Sequence, residues 1–456
     1  MGLNVVKSLI QKYSIAGPRY TSYPTAPQFN DHVGNATYRE RLQAEAGKQE
    51  PMGMYVHIPF CEALCYYCGC NIQITKDHER SVSYLKALQT ELHVVAKHLG
   101  NRRQLGQISW GGGTPTFLKV SELESLYQAI VENFDVAPGA EISIEIDPRV
   151  TTFEQLSALR ALGFNRVSLG VQDFNPEVQK AIHREQSLEM TQTMLHQCRE
   201  LGFRGINFDF IYGLPHQTVD SFEKSIDALI RVRPDRIALY NYAHLPGLLK
   251  HQQILEKYPM PSAEMRVDIF SMAFEKLTAA GYHDIGMDHF AVAEDDLYQA
   301  LQDGRLYRNF MGYTVQRGTD ALGIGASAIG EVGQAYFQNI KEPKRYEESI
   351  TDHGLATWRG FTLKEEDVKR KWVIQHLMCQ FFVSPKEYEL RFGDCFEEHF
   401  AKELLGLQGF YEDGILEHHR DGIRVTGLGR LFLRNVAMVF DEYLRTPGKA
   451  TYSKTV

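Results

Sequence analysis

The sequence predicts an α/β fold: a partial, six-unit parallel β/α barrel, with an irregular N-terminal extension and a mainly helical C-terminal domain. Three observations carry this reading. Six short apolar runs alternate with stretches of helical periodicity between about residues 54 and 242. The first fifty residues contain a run rich in proline, glycine, tyrosine and arginine. Beyond about residue 345 helical patterns dominate. The expected division is 1–50, 51–345 and 346–456.

In the extension, Gly17-Pro18-Arg19-Tyr20-Thr21-Ser22-Tyr23-Pro24-Thr25 excludes regular helix, because proline and glycine interrupt it. Its tyrosines and arginine suit a packed segment rather than a solvated linker, and it is expected to cover the barrel mouth. The strands are read at Met54–Ile58, Gln107–Trp110, Glu141–Ile146, Arg166–Val171, Ile206–Ile211 and Arg236–Tyr242. The intervening helices are read at Val82–His98, Ser121–Phe134, Phe153–Leu162, Met190–Leu201 and Val219–Val232. Such alternation implies a parallel sheet with right-handed crossovers. Six units fall short of the eight that close a barrel. In the last part, helices are expected at Asp367–Phe382, Phe396–Leu405 and Gly429–Leu444, with a hairpin around Arg420-Asp421-Gly422. The combination is winged-helix-like. We read it as a covering domain rather than a DNA-binding one.

Composition narrows the function. A chain of 456 residues buries a large core unaided. With 43% hydrophobic and 23% charged residues it is not disordered. A net charge of −8 argues against a broad nucleic-acid surface. No stretch approaches the ~20 apolar residues of a membrane helix. The expectation is a cytoplasmic monomer that engages neither nucleic acid nor membrane.

Seven cysteines are present, and four of them fall at Cys61, Cys65, Cys68 and Cys70, directly after the first strand. One loop with this spacing can wrap a compact centre, and thiolates suit zinc or an iron–sulfur cluster. A structural zinc site wants a second, distant ligand pair. None exists here, since Cys198, Cys379 and Cys395 are isolated. A [4Fe–4S] cluster usually takes four cysteines. Three would leave one iron open to a small molecule.

Cys61-x3-Cys65-x2-Cys68 after the first strand of a partial barrel resembles the radical S-adenosylmethionine (SAM) superfamily, with Tyr67 as the aromatic before the third cysteine. The fold implied is therefore of radical SAM type, with a [4Fe–4S] cluster on Cys61, Cys65 and Cys68. The likeness narrows through further motifs: Cys70, the segment from Gly17, Gly111-Gly-Gly-Thr-Pro115, Glu145-Ile-Asp-Pro148, Gly170-Val-Gln-Asp-Phe174, Asp209-Phe-Ile-Tyr-Gly-Leu-Pro215, Asn241-Tyr-Ala-His-Leu-Pro246 and Gly286-Met-Asp-His-Phe290. Over essentially the whole chain these resemble the oxygen-independent coproporphyrinogen III oxidases. The resemblance implies radical decarboxylation of two propionates of coproporphyrinogen III to vinyl groups, giving protoporphyrinogen IX in heme synthesis. It also implies two molecules of SAM, and an electron donor and final acceptor that the sequence does not identify. Heme-binding chaperones and heme-degrading methyltransferases are the alternatives on the same scaffold.

The resemblance also distributes roles. Tyr55, Gly112, Glu145 and Ile329 match the pocket of the cluster-bound SAM. Tyr67, Gly113, Thr114, Gln172, Arg184, Asp209 and Ala243 match a second SAM site, where the family often has Phe in place of Tyr67. Cys70 belongs to the catalytic members and is assigned a catalytic or substrate-positioning role rather than a ligand role. Two of these residues stand out without the resemblance. Glu145 and Asp209 each interrupt an apolar strand, and a carboxylate there is costly unless partnered. Because the substrate carries four carboxylates, Arg19, Arg149, Arg184 and Arg308 are candidate partners for them.

Overall fold

Alternation at period two builds the centre of the molecule. In the computed structural model, which describes residues 3–316, 318, 320–445, 452, 454 and 455, six parallel strands pair in chain order: β1 (Met52–Ile58), β2 (Gln104–Gly112), β3 (Asp135–Ile146), β4 (Arg166–Gln172), β5 (Gly205–Tyr212) and β6 (Arg236–Asn241). One face of these strands is apolar and buried: Ile108 and Trp110, Ile142 and Ile144, Val167 and Leu169, Phe208 and Phe210. The residues between them, among them Ser109, Ser143, Glu145, Ser168, Asn207 and Asp209, share the wall of one inner cavity. Helices at Glu79–Leu99, Val120–Asn133, Phe153–Ala161, Leu188–Glu200 and Val219–Val232 connect the strands. Their starts are set by local chemistry. Thr152, Ser187 and Thr218 accept from backbone N–H groups in the first turn.

The sheet extends beyond these six strands. Strands β7 (His283–Gly286) and β8 (His289–Ala291) add an antiparallel edge beside β6. A separate hairpin, β9 (Tyr307–Asn309) and β10 (Gly312–Thr314), follows. Strand β11 (Ala321–Ile324) lies parallel to β1. Next to it come the antiparallel β12 (Ile329–Val332), β13 (Ala335–Asn339) and β14 (Thr357–Thr362). The order is β14-β13-β12-β11-β1-β2-β3-β4-β5-β6-β8-β7. None of β7–β14 is expected from the sequence. They hold three to six residues each, too few for a period to show. The small-residue run Gly323–Gly330 covers the end of β11, the turn at 325–328 and the start of β12, with Gly325 at φ +98°.

The Gly17–Thr25 run contains no helix, but helices at Leu3–Tyr13 and Asn35–Ala44 flank it. The run lies between the sheet and the C-terminal helices. Tyr20 and Tyr23 are 2% and 1% exposed. The Tyr20 hydroxyl donates to Asp441 at 2.9 Å, Tyr336 donates to the Tyr23 carbonyl at 3.0 Å, and Arg434 donates to the carbonyls of Gly17 and Pro18. Arg19 and Thr21 reach the inner cavity.

In the C-terminal part, the helix Glu365–Gln380 and the hairpin β16/β17 (Leu416–His419 and Gly422–Val425) form as expected, with a short β15 (Phe382–Val383) added to the hairpin. Two expected helices are broken. Phe396–Leu405 divides into Phe396–His399 and Ala401–Gly406, where Phe400 leaves helical geometry and turns its ring into the core. Gly429–Leu444 is helical only at Leu433–Val439, with single 3-10 turns on either side. There Asp441 accepts from the Tyr443 N–H and starts a new turn. Two main cores result. One joins the parallel sheet to its helices, and the other joins Leu9–Tyr23, residues 285–313 and the C-terminal helices. Among the described residues no helix is long and apolar enough to cross a membrane.

Candidate active site

The cysteine loop begins where β1 ends, and the neighbouring strand holds it. Gly113 N–H donates to the Ile58 carbonyl, and Thr114 N–H to the Phe60 carbonyl, both at 2.8 Å. The glycine run is required by close approach. A Cβ on Gly113 would lie 2.7 Å from the Phe60 carbonyl oxygen, and one on Gly111 2.8 Å from the Glu145 carboxylate. Later elements hold the rest of the loop. His183 meets the Leu64 carbonyl at 2.8 Å, Gln252 donates to the Tyr67 carbonyl at 3.0 Å, and His251 meets the Cys68 carbonyl at 2.7 Å.

A cavity of about 410 Å³ opens at the C-terminal ends of the strands. Its wall brings together Cys61, Cys65, Cys68, Cys70, Tyr67, Gly112, Gly113, Thr114, Glu145, Gln172, Arg184 and Asp209. Tyr55, Ile329 and Ala243 do not line it. Tyr55 sits one layer behind, in register with Gly323 of β11, and Gly323 packs on the Ile329 backbone. Ala243 lies just past the end of β6. The second, inner cavity of about 390 Å³ shares Glu145, Ser168, Asp209 and Tyr240 with the first. The two therefore adjoin along the polar face of the strands.

Electrostatics distinguishes the groups. Arg149 and Arg184 both pair with Asp147, at 2.7 and 3.0 Å, and both aim a guanidinium N–H at the Cys65 sulfur, at 3.6 and 3.7 Å. Burial opposes ionisation of Asp147, but Arg184 and Arg149 hold it below the ordinary carboxylate value. Cys68 is lowered to about 6 by the Cys70 thiol, which donates to it. Burial pushes Cys61 up to about 11. Glu145 is exposed to the cavity, although the protein encloses it. Burial and then Asp209 raise it to about 7, while the Gly112 N–H donates to it at 3.1 Å. Asp209 is raised by burial and receives bonds from Asn207 at 2.8 Å and Ser168 at 3.2 Å. Burial lowers His57 to about 4, so its ring is neutral. With Nε2–H donating to the Asn71 carbonyl, Nδ1 is left to accept from the Tyr55 hydroxyl.

Sequence reasoning missed Asp147, the anchor of both arginines at Cys65, as well as Ser168, Asn207 and Tyr240. Their signal was present. Polar residues recur at every second position of β3, β4 and β5, which marks a wet inner face.

The donor set fits a cluster better than a single ion. Thiolates around one tetrahedral zinc lie about 3.8 Å apart. Among the described residues, the triple of possible ligand atoms all within 4.8 Å of one another is Glu389, Cys395 and Glu397, remote in sequence from this loop, and not Cys61, Cys65 and Cys68. The three thiols share one cavity wall, with two cations directed at one of them.

Comparison with known proteins agrees. Residues 55–229 match the family model of the Radical SAM superfamily, and residues 363–432 match that of the HemN C-terminal domain. The chain is 46% identical to the oxygen-independent coproporphyrinogen III oxidase of Salmonella typhimurium, over 96% of this chain and 95% of that one. It is 42% identical to the protein of that name from Pseudomonas aeruginosa, over 98% of each. A solved structure described as coproporphyrinogen III oxidase (HemN) from Escherichia coli, a radical SAM enzyme, aligns with a TM-score of 0.91 at 41% identity. That alignment covers 96% of this chain and 98% of that one.

Proposed function

The chain belongs to the oxygen-independent coproporphyrinogen III oxidases, and from that premise we propose that the thiol-lined cavity is where it oxidises its substrate's propionates to vinyl groups. It is a radical SAM oxidoreductase of heme biosynthesis that acts on coproporphyrinogen III and uses a [4Fe–4S] cluster with SAM. The observation that carries the site assignment is the meeting of Cys61, Cys65 and Cys68 with Glu145, Arg184 and Asp209 on one cavity wall.

When bound, the cluster and SAM supply an electron and a carbon radical able to remove a hydrogen atom from a propionate. The protein's own residues prepare for this. Cys61, Cys65 and Cys68 provide the three thiolates. Arg149 and Arg184 donate to the sulfur of Cys65. Glu145, poised near neutrality, is drawn to its ionised form by a cationic amino group and orients it. Tyr55, through neutral His57, and Ile329, through Gly323, support the same pocket from behind. Tyr67, Gly113, Thr114, Gln172, Arg184, Asp209 and Ala243 are assigned to a second SAM molecule. Cys70 faces Cys68 as a proton donor and stays outside the ligand set, with a catalytic or positioning role.

The six parallel strands are read as a partial barrel of radical SAM type. A cavity bordered by the polar faces of β2 to β6 together supports curvature of that kind. The division into 1–50, 51–345 and 346–456 belongs to the same reading, although residues 1–2, 317, 319, 446–451, 453 and 456 lie outside the described residues. Segment Gly17–Thr25 then closes the inner cavity from its side, which keeps water from reactive intermediates. The protein is proposed to act as a cytoplasmic monomer with separate electron donor and acceptor partners.

The test is an anaerobic incubation of reconstituted protein with SAM, reductant, an electron acceptor and coproporphyrinogen III. Release of carbon dioxide with formation of protoporphyrinogen IX is expected. Tight heme binding without turnover, or porphyrin methylation, would contradict the reading.

A further inference from the structure

The inner cavity holds a cation whose donors are idle. Arg308, on β9, is 4% exposed and lines this cavity. Its Nε and Nη1 are buried with no hydrogen-bond partner among the described residues. The other arginines of the same wall each have a carboxylate partner: Arg19 pairs with Asp288 at 2.6 Å, Arg166 with Glu141 at 2.6 Å, and Arg236 with Asp295 at 2.8 Å, although Arg236 also keeps one buried unbonded nitrogen, Nη2.

The geometry keeps Arg308 in place. Its guanidinium lies 4.7 Å from the centre of the Tyr313 ring. Gln375 donates to its backbone carbonyl at 2.9 Å, and the Tyr313 hydroxyl donates to the Met378 carbonyl at 3.0 Å. A C-terminal helix thus fixes both residues. Burying an unpaired guanidinium is costly, and the cost is offset when an anion with matching acceptors arrives. The cavity offers such an anion apolar neighbours in Leu297, Phe310 and Met311. It borders the thiol cavity at Glu145, Ser168, Asp209 and Tyr240, which line both. A ligand suited to this space has an apolar body, a carboxylate at the Arg308 end and a reacting group at the thiol end.

We propose that Arg308 is a substrate-binding residue that receives a retained carboxylate of the tetrapyrrole and so directs a different propionate toward the thiol cavity. This rests on the functional reading above.

Anaerobic kinetics of Arg308→Gln and Arg308→Lys test it, with coproporphyrinogen III and with an analogue whose two retained propionates are methyl esters. For Arg308→Gln the KM for the free acid should rise about thirtyfold, the loss expected for a charge-assisted hydrogen bond, with kcat within about threefold. Lysine keeps the charge but not the fork, so Arg308→Lys should recover part of the loss. On the ester, wild type and both variants should share one KM. An unchanged KM for the free acid, or an equal rise on acid and ester, overturns the proposal. If Arg308→Gln fails to fold, Arg308→Lys decides by the same criteria. A wild-type enzyme that forms no vinyl product overturns the functional reading instead.

Discussion

Alanine in place of Cys65 is expected to remove the iron–sulfur chromophore and to lower vinyl formation at least about a thousandfold, since the cofactor carries the chemistry. Cys65 is the thiol on which the site's charges converge. Arg149 and Arg184 reach its sulfur at 3.6 and 3.7 Å, and Asp147 ties the two guanidinium groups together from the other side. Without the thiol, those guanidinium groups keep Asp147 but lose their sulfur acceptor, and a three-ligand set falls to two. Cys198→Ala is the control. That thiol is buried in a helix packed on the sheet, away from the cavity, and its loss should cost stability while leaving iron content and turnover near wild type. Iron and sulfide content with an anaerobic activity assay checks both variants. Normal iron in Cys65→Ala would be inconsistent with the ligand assignment.

Gly113→Ala is expected to reduce turnover about a hundredfold while iron is retained, because small displacements of bound reactants cost rates of that order. The added methyl would lie 2.7 Å from the Phe60 carbonyl oxygen and 2.8 Å from the Pro59 carbonyl. Both are backbone, so neither can swing aside. The same turn bonds Ile58 and Phe60 through the N–H groups of Gly113 and Thr114. Relief of the clash must therefore part the glycine turn from the loop that carries Cys61, and the proposed SAM contacts move with it. Equilibrium dialysis with SAM should show weakened binding. Gly409→Ala, where a Cβ meets nothing within 4 Å and the backbone is helical, should leave activity unchanged. Equal SAM affinity and turnover in Gly113→Ala and wild type would remove the turn from the site.

What the sequence made legible follows burial. Strands β1 to β6 and their connecting helices were readable because one face of each strand is packed by helices and must be apolar along its length, as Ile108 with Trp110 and Phe208 with Phe210 are. The edge strands were not readable. Segments such as His289–Ala291 take their conformation from hydrogen bonds to a neighbour already in place, not from a pattern of their own. The cysteine loop was legible through its spacing. The direction of Arg149 and Arg184 onto one of its sulfurs required coordinates. Asp147 was hidden for a related reason. It looks like an ordinary turn residue, paired with Arg149 of the same turn, until Arg184 arrives from a later element. Arg308 could be named from the sequence as one arginine among four, but only the structure shows it buried with idle donors while Arg19 is bound to Asp288.

Purification without oxygen, followed by iron and sulfide analysis and low-temperature electron paramagnetic resonance with and without SAM, tests the central claim most directly. About four irons and four sulfides per chain are expected, with a reduced-cluster signal that changes when SAM is added and that Cys61→Ala, Cys65→Ala and Cys68→Ala each abolish. A colourless protein holding one zinc at this loop, or a cluster signal indifferent to SAM, would contradict it.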